Sequence, residues 1–346
     1  MPTPESRKAF LQIHACVVLW GFTAILGKLI TLPALPLVWW RMALVVLALA
    51  CVPRVWRGLR ALPPRLLLAY AGIGVLVALH WLTFYGAIKL ANASVGATCM
   101  ALATVFIALT EPRLVGRRFS WREVLLGIAV LPGVALVVGG LPHDMRLGVA
   151  VGTVSAMFVA VFGALNKRLV DRTDPLTMTA VELGAGTLAL TALAPLMPML
   201  FPAFAGDLLV LPSPSDALYL LALSVACTLF PFALSLVALR HMSAFGAQLA
   251  GNLEPVYAIV LAILLVGEQH ELTPAFYGGV AIILGVVLAY PLLVRPTRIE
   301  HVEVLATAEA RDMSRYSADS GSTATRLPSL WTNPSCNVFP PNTPPW

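Results

Sequence analysis

Charged residues are scarce in this sequence of 346 residues. Asp, Glu, Lys and Arg make up 12% of the chain, whereas a soluble globular protein carries about 25%. Of these 40 residues, nine follow residue 295 and three precede residue 10, which leaves 28 for the 286 residues between. So low a charge excludes a soluble globular enzyme and a disordered protein. The net charge of +6 does not indicate a nucleic-acid binder, because the basic residues lie in short gaps between apolar segments.

The sequence also lacks the motifs of common enzymes and metal sites. Its five cysteines, Cys16, Cys51, Cys99, Cys227 and Cys336, are far apart and have no metal-ligand or redox spacing. There is no His-Glu-x-x-His, no phosphate-binding glycine loop ending in Lys-Ser/Thr and no Gly-x-Ser-x-Gly. We therefore expect no cofactor, no metal and no enzymatic activity, and we expect any transport to be driven by gradients rather than by ATP bound to this chain.

Apolar residues, in contrast, make up 59% of the chain. A membrane-spanning helix needs about 20 of them in a row. Ten segments of about this length follow one another, and we number them 1 to 10 in chain order: 10–30, 36–53, 65–88, 93–112, 121–141, 147–166, 175–199, 215–239, 244–266 and 273–294. They predict an all-α polytopic membrane protein with ten transmembrane helices. Segment 1 is too long for a typical signal peptide, and we expect it to be retained.

Basic residues are distributed unequally between the two ends of the segments. Sixteen Lys and Arg residues lie on one side, whereas the other side has only Lys28, Arg41, Lys89 and Arg146. Cytoplasmic loops are enriched in Lys and Arg. The distribution therefore predicts a multi-pass protein of the cytoplasmic (inner) membrane with both termini in the cytoplasm, which agrees with an even number of spans.

The two halves of the chain resemble each other. Gly116 and Gly127 recur as Gly267 and Gly278 at an offset of 151, although chance similarity between small residues is the alternative. Each half has five segments, so the second would cross the membrane in the opposite direction, and inverted repeats of this kind are typical of transporters. We predict four parts: a cytoplasmic N-terminus (1–9), two inverted five-helix repeats (10–141 and 142–295) and a disordered cytoplasmic tail (296–346).

Glu254 is an acid near the middle of segment 9, in the stretch Gln248-Leu-Ala-Gly-Asn252-Leu-Glu254-Pro255. A charged carboxylate at mid-bilayer costs about 2.5–3.5 kcal/mol, so it should face a partner, a watery cavity or a proton. Gln248 and Asn252 are four residues apart and share a helix face. We predict that Glu254 binds a proton or the substrate and that Gln248 and Asn252 bind the substrate. The alternative is a buried carboxylate that ties segment 9 to a neighbour.

Arg41 in segment 2 and Glu182 in segment 7 occupy comparable positions in the two halves. Either could bind a zwitterionic or anionic solute, or each could pair locally. We take Arg41 as a candidate substrate ligand that attracts a carboxylate, and Glu182, with Glu254, as a candidate coupling residue.

Segment 3 carries the stretch His80-Trp81-Leu-Thr-Phe-Tyr85, and segment 1 carries Trp20. His80 can titrate near neutral pH, and Trp81 and Tyr85 share a helix face. We include Trp20, His80, Trp81 and Tyr85 among the candidate substrate-binding residues. The alternatives are interfacial or packing roles for the aromatic residues and a hydrogen-bonded structural role for His80.

Several of these stretches resemble a known family. Leu-Trp20-Gly in segment 1, Asn252-Leu-Glu254-Pro-Val-Tyr in segment 9 and the following Gly267-Glu268 are similar to the EamA family of the drug/metabolite transporter superfamily. The resemblance extends over nearly all of the chain except its tail. It implies an inverted five-plus-five fold with a central cavity lined by helices 1–4 and 6–9, and with helices 5 and 10 at the periphery. It also implies export of amino acids or related small metabolites, often coupled to protons.

We therefore predict a secondary transporter that exports small metabolites by alternating access and proton coupling, with amino acids as the leading class. Its partners would be a small-molecule substrate and membrane lipid but no nucleic acid, and the protein would be a monomer or a homodimer. The alternatives are an importer or exchanger of another solute, such as a nucleotide sugar, and a membrane-embedded enzyme or assembly factor.

Overall fold

The computed structural model describes residues 4–139, 141–267 and 273–293, so that the predicted tail (296–346) and Glu268 lie outside it. The first half contains α1 (Pro4–Leu29), α2 (Ala34–Ala50), α3 (Pro53–Ala61), α4 (Pro64–Leu90), α5 (Ala93–Cys99), α6 (Ala103–Val115) and α7 (Trp121–Gly139). The second half contains α8 (Arg146–Leu169), α9 (Pro175–Leu193), α10 (Met197–Leu200), α11 (Pro214–Ser224), α12 (Phe230–Leu239), α13 (Ala244–Gly251), α14 (Glu254–Val266) and α15 (Pro274–Leu293).

Each of the ten predicted segments contains one helix or two helices in succession. By length and hydropathy, seven helical stretches of the described chain are suited to cross a membrane, or up to eight if α2 and α3, which are bent by 92°, form one span. The prediction of an all-α polytopic membrane protein is confirmed. The number of ten spans stays a prediction, because α7 and α15 are not among these stretches.

The two halves are interleaved. Helix α1 of the first half packs against α12 and α14 of the second half. Helix α8 is the counterpart of α1 in the predicted repeat, and it packs against α4 and α6 of the first half. Helix α7 packs against α15, and α2 packs against α9. If each helix is exchanged for its counterpart five segments away, this set of contacts is preserved, as a two-fold related repeat requires. The direction in which each half crosses the membrane stays a prediction.

Segments 4 and 9 are both interrupted near their middle. In segment 4 a 3₁₀ turn, Met100–Leu102, separates α5 from α6, and in segment 9 two residues separate α13 from α14. Gly116 and Gly267, which the repeat matches, end α6 and α14 with φ of 78° and 74°. Glycine adopts this left-handed conformation without steric cost. Broken helices at corresponding positions of two repeats are typical of transporter binding sites.

Helix α4 approaches α9 closely at Gly74. A Cβ atom at Gly74 would lie 2.0 Å from the carbonyl oxygen of Glu182, whereas a Cβ atom at Gly72 would meet nothing within 4 Å. The close approach matters for function because α4 carries His80 and Trp81, and α9 carries Glu182.

We expect Gly74→Ala to lower the midpoint temperature of unfolding, Tm, because the added methyl group must push two packed helices apart. Overpacking of this kind costs about 1–3 kcal/mol. The matched control is Gly72→Ala, on the exposed side of the same helix, which should leave Tm unchanged or slightly raised. Both variants would be melted in the same detergent, and equal Tm values for Gly74→Ala, Gly72→Ala and wild type would contradict the close approach.

Candidate functional site

A cavity of about 140 Å³ lies between helices of both halves. It is lined by α1, α2, α4, α6 and the 3₁₀ turn before α6 in the first half, and by α8, α12, α13 and α14 in the second. Among the described residues, α7 and α15 contribute nothing to this lining. The resemblance also implied that segment 7, which contains α9, lines the cavity. In the described part of the chain, α9 contributes nothing to the lining. Most of the wall is apolar, with aromatic side chains at Trp20, Trp81, Phe84, Phe162 and Phe232.

The predicted site residues divide into two groups. Six of them line the cavity: Trp20, Arg41, His80, Trp81, Gln248 and Glu254. The other three, Tyr85, Glu182 and Asn252, are buried directly behind this lining. Among the described residues, no three His, Cys, Asp or Glu side chains are grouped to hold a metal ion.

Arg41 is a fully buried lining residue, with only 1% of its surface exposed. Its Nε donates to the Thr228 hydroxyl at 2.6 Å, one Nη donates to the Tyr85 hydroxyl at 2.9 Å and the other to the Cys227 carbonyl at 3.4 Å. The guanidinium also lies 3.9 Å from the centre of the Trp81 ring, in a favourable cation–π geometry. All of these partners are neutral, and no carboxylate of the described residues lies within 4 Å of Arg41.

The backbone that holds Arg41 is irregular for an identifiable reason. Residues Val225–Leu229 form a π-helical turn between α11 and α12, and Pro231 follows. Because proline has no N–H, the carbonyl of Cys227, four residues earlier, has no α-helical donor, and Arg41 takes that place. The sequence analysis missed Thr228 and Cys227 as ligands of Arg41. The available signal was Pro231 within segment 8. A proline inside a membrane span disturbs the helix before it, and π turns are frequent at functional sites.

The carboxyl group of Glu254 is open to the cavity. Glu254 begins α14, directly after the interruption of segment 9, and it is half-buried. No described residue donates a hydrogen bond to its carboxyl oxygens. Glu254 is near enough to Arg41 for the two charges to interact, but the two groups do not form an ion pair within 4 Å. An acid and a base therefore face one cavity without neutralising each other through direct contact.

His80 presents a hydrogen-bond acceptor to the same cavity. Its Nδ1 lies 3.1 Å from the Ser155 carbonyl oxygen and 2.8 Å from the Ser155 hydroxyl, which donates in turn to the His80 carbonyl at 2.8 Å. A carbonyl oxygen only accepts, so Nδ1 carries the proton of the neutral ring and Nε2 is the acceptor. Nδ1 thus has the structural, hydrogen-bonded role that was predicted as the alternative, while His80 also lines the cavity.

Gln248 and Asn252 connect the interruption of segment 9 to that of segment 4. Asn252 donates to the Thr104 hydroxyl at 2.6 Å, and the Gln248 amide lies 3.5 Å from the Met100 carbonyl. Asn252 is 1% exposed and does not line the cavity. Gln248 is half-buried and reaches the cavity wall.

Glu182 lies behind Asn166, a cavity-lining residue that sequence reasoning missed. The Asn166 amide is 3.5 Å from one Glu182 carboxyl oxygen, and the other carboxyl oxygen has no partner among the described residues. Both side chains are buried, and the amide oxygen of Asn166 also lacks a described partner. One amide therefore separates the Glu182 carboxyl from the cavity.

The cavity extends toward the end of the molecule at which α12 ends and α13 begins, because Leu239 and Ala244 line it. Here Glu111 of α6 accepts hydrogen bonds from the backbone N–H groups of Ala244 and Phe245 at 2.9 and 2.8 Å. Arg117 bonds both Glu111 and Glu123. The carboxylate thus caps α13 from the opposite half, which is favourable at a helix N-terminus.

The opposite end of the cavity is closed. The Tyr85 ring fills the space beside Gly27 of α1, where a Cβ atom would lie 2.3 Å from the ring. Beyond it, Lys89 donates to the Ile30 carbonyl, and Asp216 accepts from the Thr31 amide at 2.9 Å. These contacts join α4 and α11 to the end of α1.

Comparisons with known proteins bear on the identity of this cavity. The model of the EamA-like transporter family matches the chain twice, over residues 7–139 and 146–290. An uncharacterized transporter of Archaeoglobus fulgidus is 25% identical over 229 residues, which is 66% of this chain and 77% of that protein.

A protein of known crystal structure is similar in fold. It has a TM-score of 0.59 and 20% sequence identity, and the match covers 83% of this chain and 99% of that chain. At this level of identity the likeness concerns the fold alone. The two family matches together cover most of the sequence, and they confirm the resemblance found in the motifs. The chain therefore belongs to the EamA-like transporter family and is a membrane transporter of small solutes rather than an enzyme.

Proposed function

We propose that this transporter exports a zwitterionic small metabolite, with amino acids as the leading class, across the cytoplasmic membrane by proton-coupled alternating access. One observation carries the proposal: Arg41 and Glu254 line the same cavity, and neither is ion-paired within 4 Å in the described part of the chain. A ligand with one carboxylate and one ammonium group satisfies both charges at once.

The substrate carboxylate is assigned to Arg41. A guanidinium has five N–H donors, and Thr228, Tyr85 and Cys227 take one each. Two donors remain, and a carboxylate accepts such a pair in the strong geometry that arginine favours. Trp81 covers the face of the guanidinium, so the ligand approaches at its edge.

The rest of the cavity suits a small apolar side chain. Aromatic rings from both halves form its wall, and His80 and Gln248 are among the polar residues beside them. We assign Trp20 and Trp81 to the substrate's apolar part and His80 and Gln248 to its hydrogen-bonding groups. Tyr85 and Asn252 act through Arg41 and Thr104 respectively.

Proton coupling is assigned to Glu254 and Glu182. A carboxyl group that binds either a proton or the substrate ammonium, but not both, links the two flows, because each ligand removes the site of the other. Glu182 is shielded from the cavity by Asn166. It therefore fits a proton-binding group that does not touch the substrate.

Under the predicted topology the cavity extends toward the cytoplasm, and the Tyr85–Gly27 contact closes it toward the outside. This arrangement supports an inward-facing state of an exporter that loads its substrate from the cytoplasm.

We expect Glu254→Gln to abolish export and its dependence on pH while leaving folding intact, because glutamine keeps the size of the side chain but neither binds a proton nor carries a charge. Growth media of cells that express wild type, Glu254→Gln or an empty vector would be compared by untargeted metabolite profiling. The matched control is Asp207→Asn, which likewise replaces a carboxylate by its amide, but at an exposed position. If export in Glu254→Gln still depends on pH, the assignment of proton coupling to Glu254 is contradicted. If a solute is depleted from the medium instead of accumulating there, an importer is favoured.

We expect Arg41→Lys to weaken transport of the amino acid by about 10- to 100-fold in KM, because lysine lacks the guanidinium fork and a hydrogen bond to a charged group contributes about 1.5–3 kcal/mol. The decarboxylated amine of the same substrate would be measured in parallel as an inhibitor. Its affinity should be unchanged by Arg41→Lys. An equal loss for both compounds would mean that Arg41 has a structural role and does not bind the carboxylate.

We expect Glu182→Gln to separate binding from coupling. Because Glu182 does not line the cavity, substrate affinity should remain within about threefold of wild type, equivalent to 0.6 kcal/mol. The transport rate in proteoliposomes should lose its dependence on an imposed pH gradient. A rise in Kd with pH dependence retained would instead assign Glu182 to the support of Asn166.

A further inference from the structure

Helix α3 lies across the end of a membrane span. Helix α2 has 17 residues, or about 25 Å at 1.5 Å per residue, which is close to the thickness of the bilayer core. The chain then turns by 92° into α3. If α2 crosses the membrane, α3 lies parallel to its surface. Sequence reasoning treated this stretch as a connection and missed the helix, which begins at Pro53, a favourable first residue.

The two sides of α3 differ in chemistry. Its inner side is packed: Val55 is 2% exposed, and Gly58 lies against α9 so closely that a Cβ atom would be 2.0 Å from the Thr177 hydroxyl. Arg57 and Arg60, three residues apart, share the outer face, and both are exposed. The inner side fixes the helix, and the outer side presents its cations.

Three exposed arginines at this position have no counterion. Arg57, Arg60 and Arg65, the second residue of α4, form no ion pair and no hydrogen bond with the described residues. Arg54 differs, because it lies 3.6 Å from Asp174. We call the three unpaired residues the arginine triad.

Neighbouring apolar side chains give the depth of the triad in the membrane. Leu47 of α2 and Leu68 of α4 are 65% and 72% exposed, as expected of lipid-facing residues. Arg65 precedes Leu68 by about one helical turn. Trp56 is 49% exposed, and its Nε1 donates to the Ala50 carbonyl at 2.7 Å, which fixes the ring at the bend. Tryptophan and arginine next to lipid-facing leucine are typical of the headgroup region.

We propose that the arginine triad binds the phosphate group of an anionic phospholipid. Guanidinium groups bind phosphate through paired N–H donors, and basic residues at a membrane surface attract anionic headgroups. The triad lies at headgroup depth and has no counterion among the described residues, and two of its members, Arg57 and Arg60, are on a helix that packs against α9. The bound lipid holds α3 against the first turn of α9, where Asp174 caps the Leu176 amide at 3.2 Å.

The test is a lipid titration of the full-length protein in neutral detergent, read by native mass spectrometry. The probes are phosphatidylglycerol and phosphatidylcholine with identical acyl chains. We expect wild type to prefer phosphatidylglycerol, and we expect the R57Q/R60Q/R65Q variant to bind it roughly 100-fold more weakly, since each of the three basic residues contributes about fivefold. The matched control is R113Q/R118Q/R122Q, which removes three exposed arginines from the end of α6, the α6–α7 connection and the start of α7 and should retain wild-type affinity.

Three outcomes would overturn the proposal: equal affinity of wild type for the two lipids, equal loss in the triad and control variants, or displacement of phosphatidylglycerol by equimolar inorganic phosphate, which would indicate a site for free phosphate. If the glutamine variant does not fold, the first and third measurements still decide. A variant with lysine at all three positions should bind phosphatidylglycerol more tightly than the glutamine variant. None of these measurements depends on transport, so the proposed function and this site can fail separately.

Discussion

The burial of Arg41 is the constraint on which the site depends. A cation inside a membrane protein is costly unless polar groups surround it, and here these groups come from two elements: the Tyr85 hydroxyl from α4, and the Thr228 hydroxyl and Cys227 carbonyl from the π turn before α12. Each partner is neutral, so the positive charge is solvated but not cancelled. The need to solvate the Arg41 guanidinium explains three features together: the π turn, Pro231 and the position of the Trp81 ring. A site built around an uncancelled cation is suited to an anionic group that arrives and leaves.

The contacts between the halves explain how such a site can change its access. The interruptions of segments 4 and 9 meet through Asn252 and Thr104, and the N-terminus of α13 is capped by Glu111 from the other half. At these places hydrogen bonds between helix ends join the two halves. Joints of this type can be remade in a second arrangement, whereas a packed core resists gradual deformation.

Much of the fold could be predicted from sequence, and the reason is that the bilayer imposes it. Apolar length, basic loops and the recurrence of Gly116 as Gly267 reflect constraints that act locally, so they can be read without coordinates. The division of the candidate site into two layers could not be predicted in this way. Gln248 and Asn252 share a helix face, yet one reaches the cavity and the other bonds Thr104, because long-range packing decides what each position on that face meets. Asn166 and Thr228 have no distinctive sequence pattern, and only long-range packing makes them partners of Glu182 and Arg41.

Tyr85 connects the binding site to the closed end of the cavity. Its hydroxyl accepts a hydrogen bond from Arg41 at 2.9 Å, and its ring fills the space beside Gly27 that holds α1 against α4. A single rigid side chain therefore takes part both in solvating the cation and in sealing the cavity. A carboxylate that binds the two remaining donors of Arg41 lies beside the phenol at the same guanidinium, and a shift of the phenol would change the packing at Gly27. Under the proposed function, ligand occupancy and closure are therefore linked through two contacts of one residue, without a longer chain of intermediates, as alternating access requires.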